Sequence, residues 1–311
     1  MKFAMVFPGQ GSQSVGMLAG YGDAPIVRET LAEASDILKQ DVGRLMAEGP
    51  SEELNSTVNT QPVMVTAGIC AWRLWGELRG GDPVVFAGHS LGEYTALVAA
   101  GAMSLADCLP LVRLRAQAMQ DAVPQGTGAM AAILGLDDDT VRAACAEAAG
   151  GEVCEAVNFN APSQVVIAGN AGAVKRAMDT AKARGAKRAV PLPVSAPFHS
   201  SLMAPAAARL RQALARVAVN SPRIPVIHNV DAKSHGDPEE IRKALVSQAD
   251  HPVRWVECVR EMAARGVTHV LECGPGKVLA PLTKRIADAL QGLALADRAG
   301  IESAAQLTRG G

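Results

Sequence analysis

Ser90 stands between two glycines, in the order Gly88-His89-Ser90-Leu91-Gly92. This is the G-x-S-x-G spacing of a nucleophile elbow. Small residues at 88 and 92 let a strained strand-to-helix turn pack while Ser90 Oγ stands exposed. The amide of Leu91 then falls at a helix N-terminus, where free N–H groups and the helix dipole favour a developing oxyanion. A serine hydroxyl needs a base before it attacks a carbonyl, and that base needs a partner to orient it. The chemistry such a set performs is acyl transfer, either to water or to another nucleophile.

The base must come from six histidines. His89 lies within the elbow, and its side chain is expected to point away from Ser90. His228 sits in an apolar strand and reads as a core residue. His235 and His269 have turn and strand-start contexts, and His251 precedes Pro252. His199, in "PVSAPFHSSLM", falls in a turn at the start of a helix, although that context alone does not select it. None of the spacings matches a metal site, so no metal is expected. Arg113 and Arg115 lie on the helix after the elbow, where only a demand for a bidentate carboxylate partner would draw one into a pocket. "PGQGSQSVG" (8–16) imitates a dinucleotide fingerprint with Ser14 in the third glycine place, but Pro8 precedes it and no ordinary β-α-β unit follows. What it does supply is a loop at the carboxyl end of a strand, where the Gln10 N–H could serve as a second oxyanion donor.

The elements that must carry these residues read as α/β. "FAMVF" is a buried parallel strand, helical periods run through "PIVRETLAEASDIL" and "QPVMVTAGICAWRLWGEL", and "PVVFAG" leads into the elbow. Two helices follow, ending near Pro124 and Gly126. From there "GAMAAILGL", "DDDTVRAACAEAA", "CEAVNFNAP", "QVVIAG", "NAGAVKRAMDTAKARG" and "KRAVPLPV" spell β-α-β-β-α-β, the ferredoxin-like order. The α/β texture then resumes through helix 201–217, strand "IPVIHNV", a helix opened by Asp237-Pro238, helix 255–265, strand "THVLECG" and a helix from about 277. The Ala- and Leu-rich tail after about 291 reads as a closing helix. The expected division is a large α/β subdomain with a parallel sheet from residues 1–125 and 195–311, interrupted by a ferredoxin-like subdomain at 126–194.

Bulk properties narrow the function classes. The 311 residues carry 30 Lys and Arg against 31 Asp and Glu, a net charge of −1, and only 3% are aromatic. No general affinity for nucleic acid or anionic membrane is expected from that balance. The six cysteines show no C-x-x-C spacing and read as reduced core thiols. The opening apolar run is too short for a signal or membrane segment, so a soluble, cytoplasmic protein is expected.

The elbow alone would suggest an α/β-hydrolase, but that fold places several strands before the nucleophile. Only "FAMVF" and "VVFA" precede Ser90 here. Taken together, "FPGQGSQ" (7–13), "GHSLGEYTALVAAG" (88–101), "R-x-x-x-MQ" (115–120), "NFNAPSQVVIAG" (158–169), "VSAPFHSSLM" (194–203), "PVRW" (252–255) and "ECGPGKVL" (272–279) resemble another family. It is that of the malonyl-CoA:acyl carrier protein transacylases and the related polyketide synthase acyltransferase domains. The resemblance implies Ser90 as nucleophile, His199 as base, and the amides of Gln10 and Leu91 as oxyanion hole. It also implies Arg115 as the grip on the substrate carboxylate and Met119, Asn160 and Phe198 as pocket residues, Phe198 being similar to the malonyl-type form of its position. The backbone carbonyl of Gln248 would orient the histidine in place of an acid. His251, before "PVRW", departs from the Asn or small residue of many relatives and bears on the loop near Gln248.

The activity implied is ping-pong transfer of malonyl from malonyl-CoA to the phosphopantetheine thiol of acyl carrier protein, for fatty acid or polyketide synthesis, without a cofactor. A serine hydrolase or thioesterase with the same nucleophile is the alternative, and would require an acid partner for His199. A non-catalytic carrier-binding module is a third reading, disfavoured because a binder needs neither Ser90 nor His199.

Overall fold

The computed structural model describes residues 1–194 and 196–309. Strand β1 (Phe3–Phe7) opens the chain, and helices α1 (Pro25–Leu38), α2 (Val42–Glu48), α3 (Ser51–Asn55) and α4 (Thr57–Glu77) follow. Strand β2 (Val85–Gly88) then runs through the elbow into α5 (Gly92–Ala99) and α6 (Leu105–Asp121). The central segment is β3 (Gly128–Leu134), α7 (Asp138–Ala149), β4 (Cys154–Ala161), β5 (Gln164–Asn170), α8 (Ala171–Ala183) and β6 (Arg188–Pro191). The last part holds α9 (Ala204–Leu214), β7 (Val226–Ile227), α10 (Pro238–Asp250), α11 (Trp255–Ala264), β8 (His269–Cys273), α12 (Ala280–Ile286), β9 (Gln291–Leu295) and α13 (Arg298–Arg309).

Two sheets result. The first has the order β7-β2-β1-β8-β9 with every pair parallel. The second has the order β4-β5-β3-β6 with every pair antiparallel, which is the ferredoxin-like arrangement expected from the sequence. "FAMVF" is apolar at every position because β1 is covered on both faces. Phe3, Met5 and Phe7 join the core beneath α1, α4 and α6, while Ala4 and Val6 face α11 and α12. The antiparallel sheet divides in the same way. Ala131, Ile133, Val165 and Ile167 pack under α7 and α8, whereas Met130, Val166 and Ala168 join the large core. Its tie to the rest of the chain includes backbone bonds from Phe159 N to Val253 O (3.0 Å) and from Val253 N to Val157 O (2.8 Å).

Sequence expectations fail at two elements near the end. "IPVIHNV" pairs only over Val226–Ile227, because the chain turns at His228, whose amide donates to Lys233 O, and Asn229 is diverted into the elbow. The tail is not helical throughout: Gln291–Leu295 forms an edge strand parallel to β8 before α13 begins. A parallel strand shows no alternation, so its Ala and Leu residues read as helix. Helices α10 and α7 are capped by aspartates, the first as the Asp237-Pro238 pair led one to expect. Asp237 accepts from Glu239 N (2.8 Å) and Glu240 N (3.1 Å), and Asp137 accepts from Thr140 N (2.9 Å). All six cysteines are buried free thiols. Ser195, the expected first residue of the last segment, and the final Gly310 and Gly311 lie outside the described residues.

Candidate active site

The elbow forms because β2 and α5 approach more closely than any side chain permits. A Cβ on Gly88 would lie 1.9 Å from the Gly92 carbonyl carbon, and one on Gly92 would lie 2.1 Å from Phe7 O. Ser90 itself takes φ 51°, a left-handed conformation costly for a non-glycine residue. It is held there by Asn229, whose Oδ1 accepts from Ser90 N (2.6 Å) and whose Nδ2 donates to Gly88 O (2.7 Å).

Ser90 Oγ lies 2.7 Å from His199 Nε2. His199 comes from the turn before α9, also at positive φ (65°), and is 3% exposed. Its Nδ1 lies 2.8 Å from the carbonyl oxygen of Gln248. A carbonyl only accepts, so Nδ1 carries the proton and Nε2 presents its lone pair to Ser90. Burial lowers the His199 pKa to about 3, with the nearby Arg115 charge adding to the effect and the Gln248 carbonyl opposing it. The imidazole is therefore neutral at physiological pH.

Arg115, on α6, is 2% exposed. Its guanidinium donates to Gln61 Oε1 (2.9 Å), Gln248 Oε1 (3.0 Å) and Ser90 Oγ (3.2 Å), and lies over the Tyr94 ring. All three acceptors are neutral. Arg113 points elsewhere, to Leu38 O and Gln40.

These groups converge on a cleft of about 120 Å³. Gln10, Gln61, His89, Ser90, Leu91, Arg115 and His199 line it with Met119, Met130, Leu192 and Phe198 as the apolar wall. Of the site residues expected from sequence, Asn160 is not in the lining; its Oδ1 lies 2.7 Å from His89 Nε2, one step back. Asn158 lines the cleft instead. His89 is also among the cleft residues, and its ring packs against Trp255. His251 is exposed at the end of α10, 2.7 Å from Asp250 Oδ1. His228 is the buried core histidine expected, whereas Gln61, Glu93 and Asn229 were missed by sequence reasoning. One signal was available for Glu93: it is the single charged residue in the otherwise uncharged run "GEYTALVAAG". Among the described residues no group of His, Cys, Asp or Glu is placed to hold a metal ion, and no helix is long and apolar enough to cross a membrane.

A part-buried serine after a parallel strand, bonded to a buried histidine and facing a second, antiparallel layer across a small cleft, is an arrangement suited to acyl transfer. The acyl transferase domain family model matches residues 4–303, and the chain belongs to that family. It is 53% identical to the malonyl CoA-acyl carrier protein transacylase of Escherichia coli K12, over 98% of this chain and 99% of that one. A crystal structure of an acyl-carrier-protein S-malonyltransferase from Burkholderia pseudomallei is 62% identical, with a TM-score of 0.97 over 98% of this chain and 100% of that one. A malonyl-transacylase solved in complex with its type II polyketide synthase acyl-carrier protein is 50% identical, with a TM-score of 0.97 over 99% and 100% of the two chains.

Proposed function

We propose that this protein transfers malonyl from malonyl-CoA to the phosphopantetheine thiol of acyl carrier protein, through an ester on Ser90. The observation that carries the reading is a buried Arg115 guanidinium, 3.2 Å from the Ser90 hydroxyl, whose acceptors are all neutral. A buried cation without a directly bonded counter-ion is costly, and an acyl group ending in a carboxylate supplies that counter-ion beside the nucleophile.

In the first half-reaction His199 Nε2 takes the Ser90 proton as Oγ attacks the thioester carbon. The oxyanion is held by the amides of Gln10 and Leu91, a contribution of about 3 kcal/mol per donor. The intermediate collapses with cleavage of the C–S bond, and His199 returns the proton to the leaving CoA thiolate. In the second, His199 takes the proton of the carrier thiol, its sulfur attacks the Ser90 ester, and Ser90 leaves with that proton. The Gln248 carbonyl stands where a hydrolase keeps an acid, and fixes the tautomer without adding a charge. Met119 and Phe198 wall the acyl pocket, and Asn160 steadies it through His89. No step calls on a cofactor beyond the thioester. The two sheets support a division into a large subdomain, 1–125 with 195–311, and a small one, 126–194, with the cleft between them. The carrier serves fatty acid or polyketide assembly, in the cytoplasm.

The test is Arg115→Ala with a panel of acyl-CoAs, followed by intact-protein mass spectrometry. Loading of malonyl should fall by two orders of magnitude or more, while acetyl or medium-chain loading is retained or rises. A variant that kept its malonyl preference would remove the carboxylate-clamp role.

A further inference from the structure

Glu93 lies just past the last elbow glycine and is fully buried. Its Oε1 lies 2.7 Å from His228 Nδ1, and its Oε2 accepts from Asn229 N (2.8 Å) and Gln248 Nε2 (2.9 Å). Gln248 Nε2 also donates to Ser90 O (2.9 Å), while Gln248 Oε1 accepts from Arg115 (3.0 Å). The amide of Gln248 thus spans the space between a carboxylate, which only accepts, and a guanidinium, which only donates. Only one orientation of that amide satisfies both. Its consequence is that Arg115 is held at Ser90 without a carboxylate of its own. A direct Glu93–Arg115 ion pair would neutralise the cation and compete with an incoming carboxylate. Relaying the anchor through a neutral amide leaves the guanidinium free to take one.

We propose that Glu93 is a positioning residue for specificity: it fixes the polarity of the Gln248 side-chain amide, and so holds the Arg115 guanidinium where a terminal carboxylate on the acyl group must bind. The proposal rests on the reading of Arg115 as the carboxylate clamp. Gln248 then serves two subsites, its carbonyl orienting the base and its side chain holding the clamp. Glu93→Gln is nearly isosteric but cannot replace the acid. Either its NH₂ faces the donors Asn229 N and Gln248 Nε2, or it faces His228 Nδ1 and forces the proton to His228 Nε2, which is buried without a partner. Reversal of the Gln248 amide then becomes competitive, and reversal sets donor against donor at Arg115.

The experiment measures single-turnover acylation of Ser90 by malonyl-CoA and by acetyl-CoA in wild type, Glu93→Gln, Gln248→Met and the double variant, with thermal melts as a folding control. Glu93→Gln should lower the malonyl-over-acetyl preference at least about tenfold, the scale of one lost charge-assisted hydrogen bond, mainly through a higher KM for malonyl-CoA. Gln248→Met should lower the preference similarly, and the double variant should add less than about threefold to either. A merely structural acid would reduce both acylations by one factor and leave the preference intact; that result, or full additivity, overturns the proposal. If Glu93→Gln does not fold, Gln248→Met decides alone, and an unchanged preference there overturns the proposal. Arg115→Ala run alongside separates the cases. Its loss of malonyl preference with none in the other variants refutes the Glu93 link only, whereas preference retained in Arg115→Ala refutes the clamp itself.

Discussion

His199 is kept unprotonated by burial and by the positive charge of Arg115 nearby. Because its pKa lies near 3 in the free enzyme, kcat/KM for malonyl-CoA should stay flat from pH 7 down to about 5. An ordinary histidine of pKa about 6.5 would lose roughly 25-fold over that range, and such a loss would contradict the assigned environment. Once the malonyl carboxylate pairs with Arg115, the field on His199 weakens and its pKa rises. The acid limb of kcat should therefore lie at higher pH than that of kcat/KM for malonyl-CoA, with a smaller separation for acetyl-CoA. The same shift acts on stability. A histidine whose folded pKa is depressed leaves the unfolded chain binding the extra proton, so stability is lost as pH falls below about 6.5, by up to about 1.4 kcal/mol per pH unit. Urea midpoints between pH 7 and 4 should fall less steeply in His199→Gln than in wild type.

At the scale of elements, the elbow depends on glycines that admit no substitute. Gly92→Ala would set a methyl 2.1 Å from Phe7 O and should cost about 3 kcal/mol or more in urea unfolding. A loss below about 1 kcal/mol would show that β1 and α5 can separate. How much was legible in the sequence follows from the range of the forces involved. The G-x-S-x-G spacing, the Asp237-Pro238 cap and the β-α-β-β-α-β run are local patterns, and each appears as an element in the structure. The strand Gln291–Leu295 was not legible, because what makes it a strand is the neighbouring β8 and not its own periodicity. The link Glu93–Gln248–Arg115 was hidden for a related reason. Its members are 155 and 133 positions apart in sequence at the two bonds, and only the closed fold brings them together. Asn160 and Asn158 lie two apart on β4, and sequence alone could not say which lines the cleft.

At the scale of the whole molecule, two sheets close a small cleft around Ser90, and the protein passes an acyl group from one thiol to another. In the proposed mechanism, a base held by a carbonyl in place of an acid, in a site that keeps its histidine neutral, suits a thiol acceptor that carries its own readily lost proton. The most direct test is to load the protein with malonyl-CoA, remove free CoA, confirm the ester on Ser90 by peptide mapping, and follow its decay in buffer and with added holo acyl carrier protein. Transfer from thiol to thiol through Ser90 predicts an ester that persists in buffer and moves to the carrier thiol within the mixing time of a manual assay. Equal decay in both conditions, with free malonate released, would make this protein a hydrolase and contradict it.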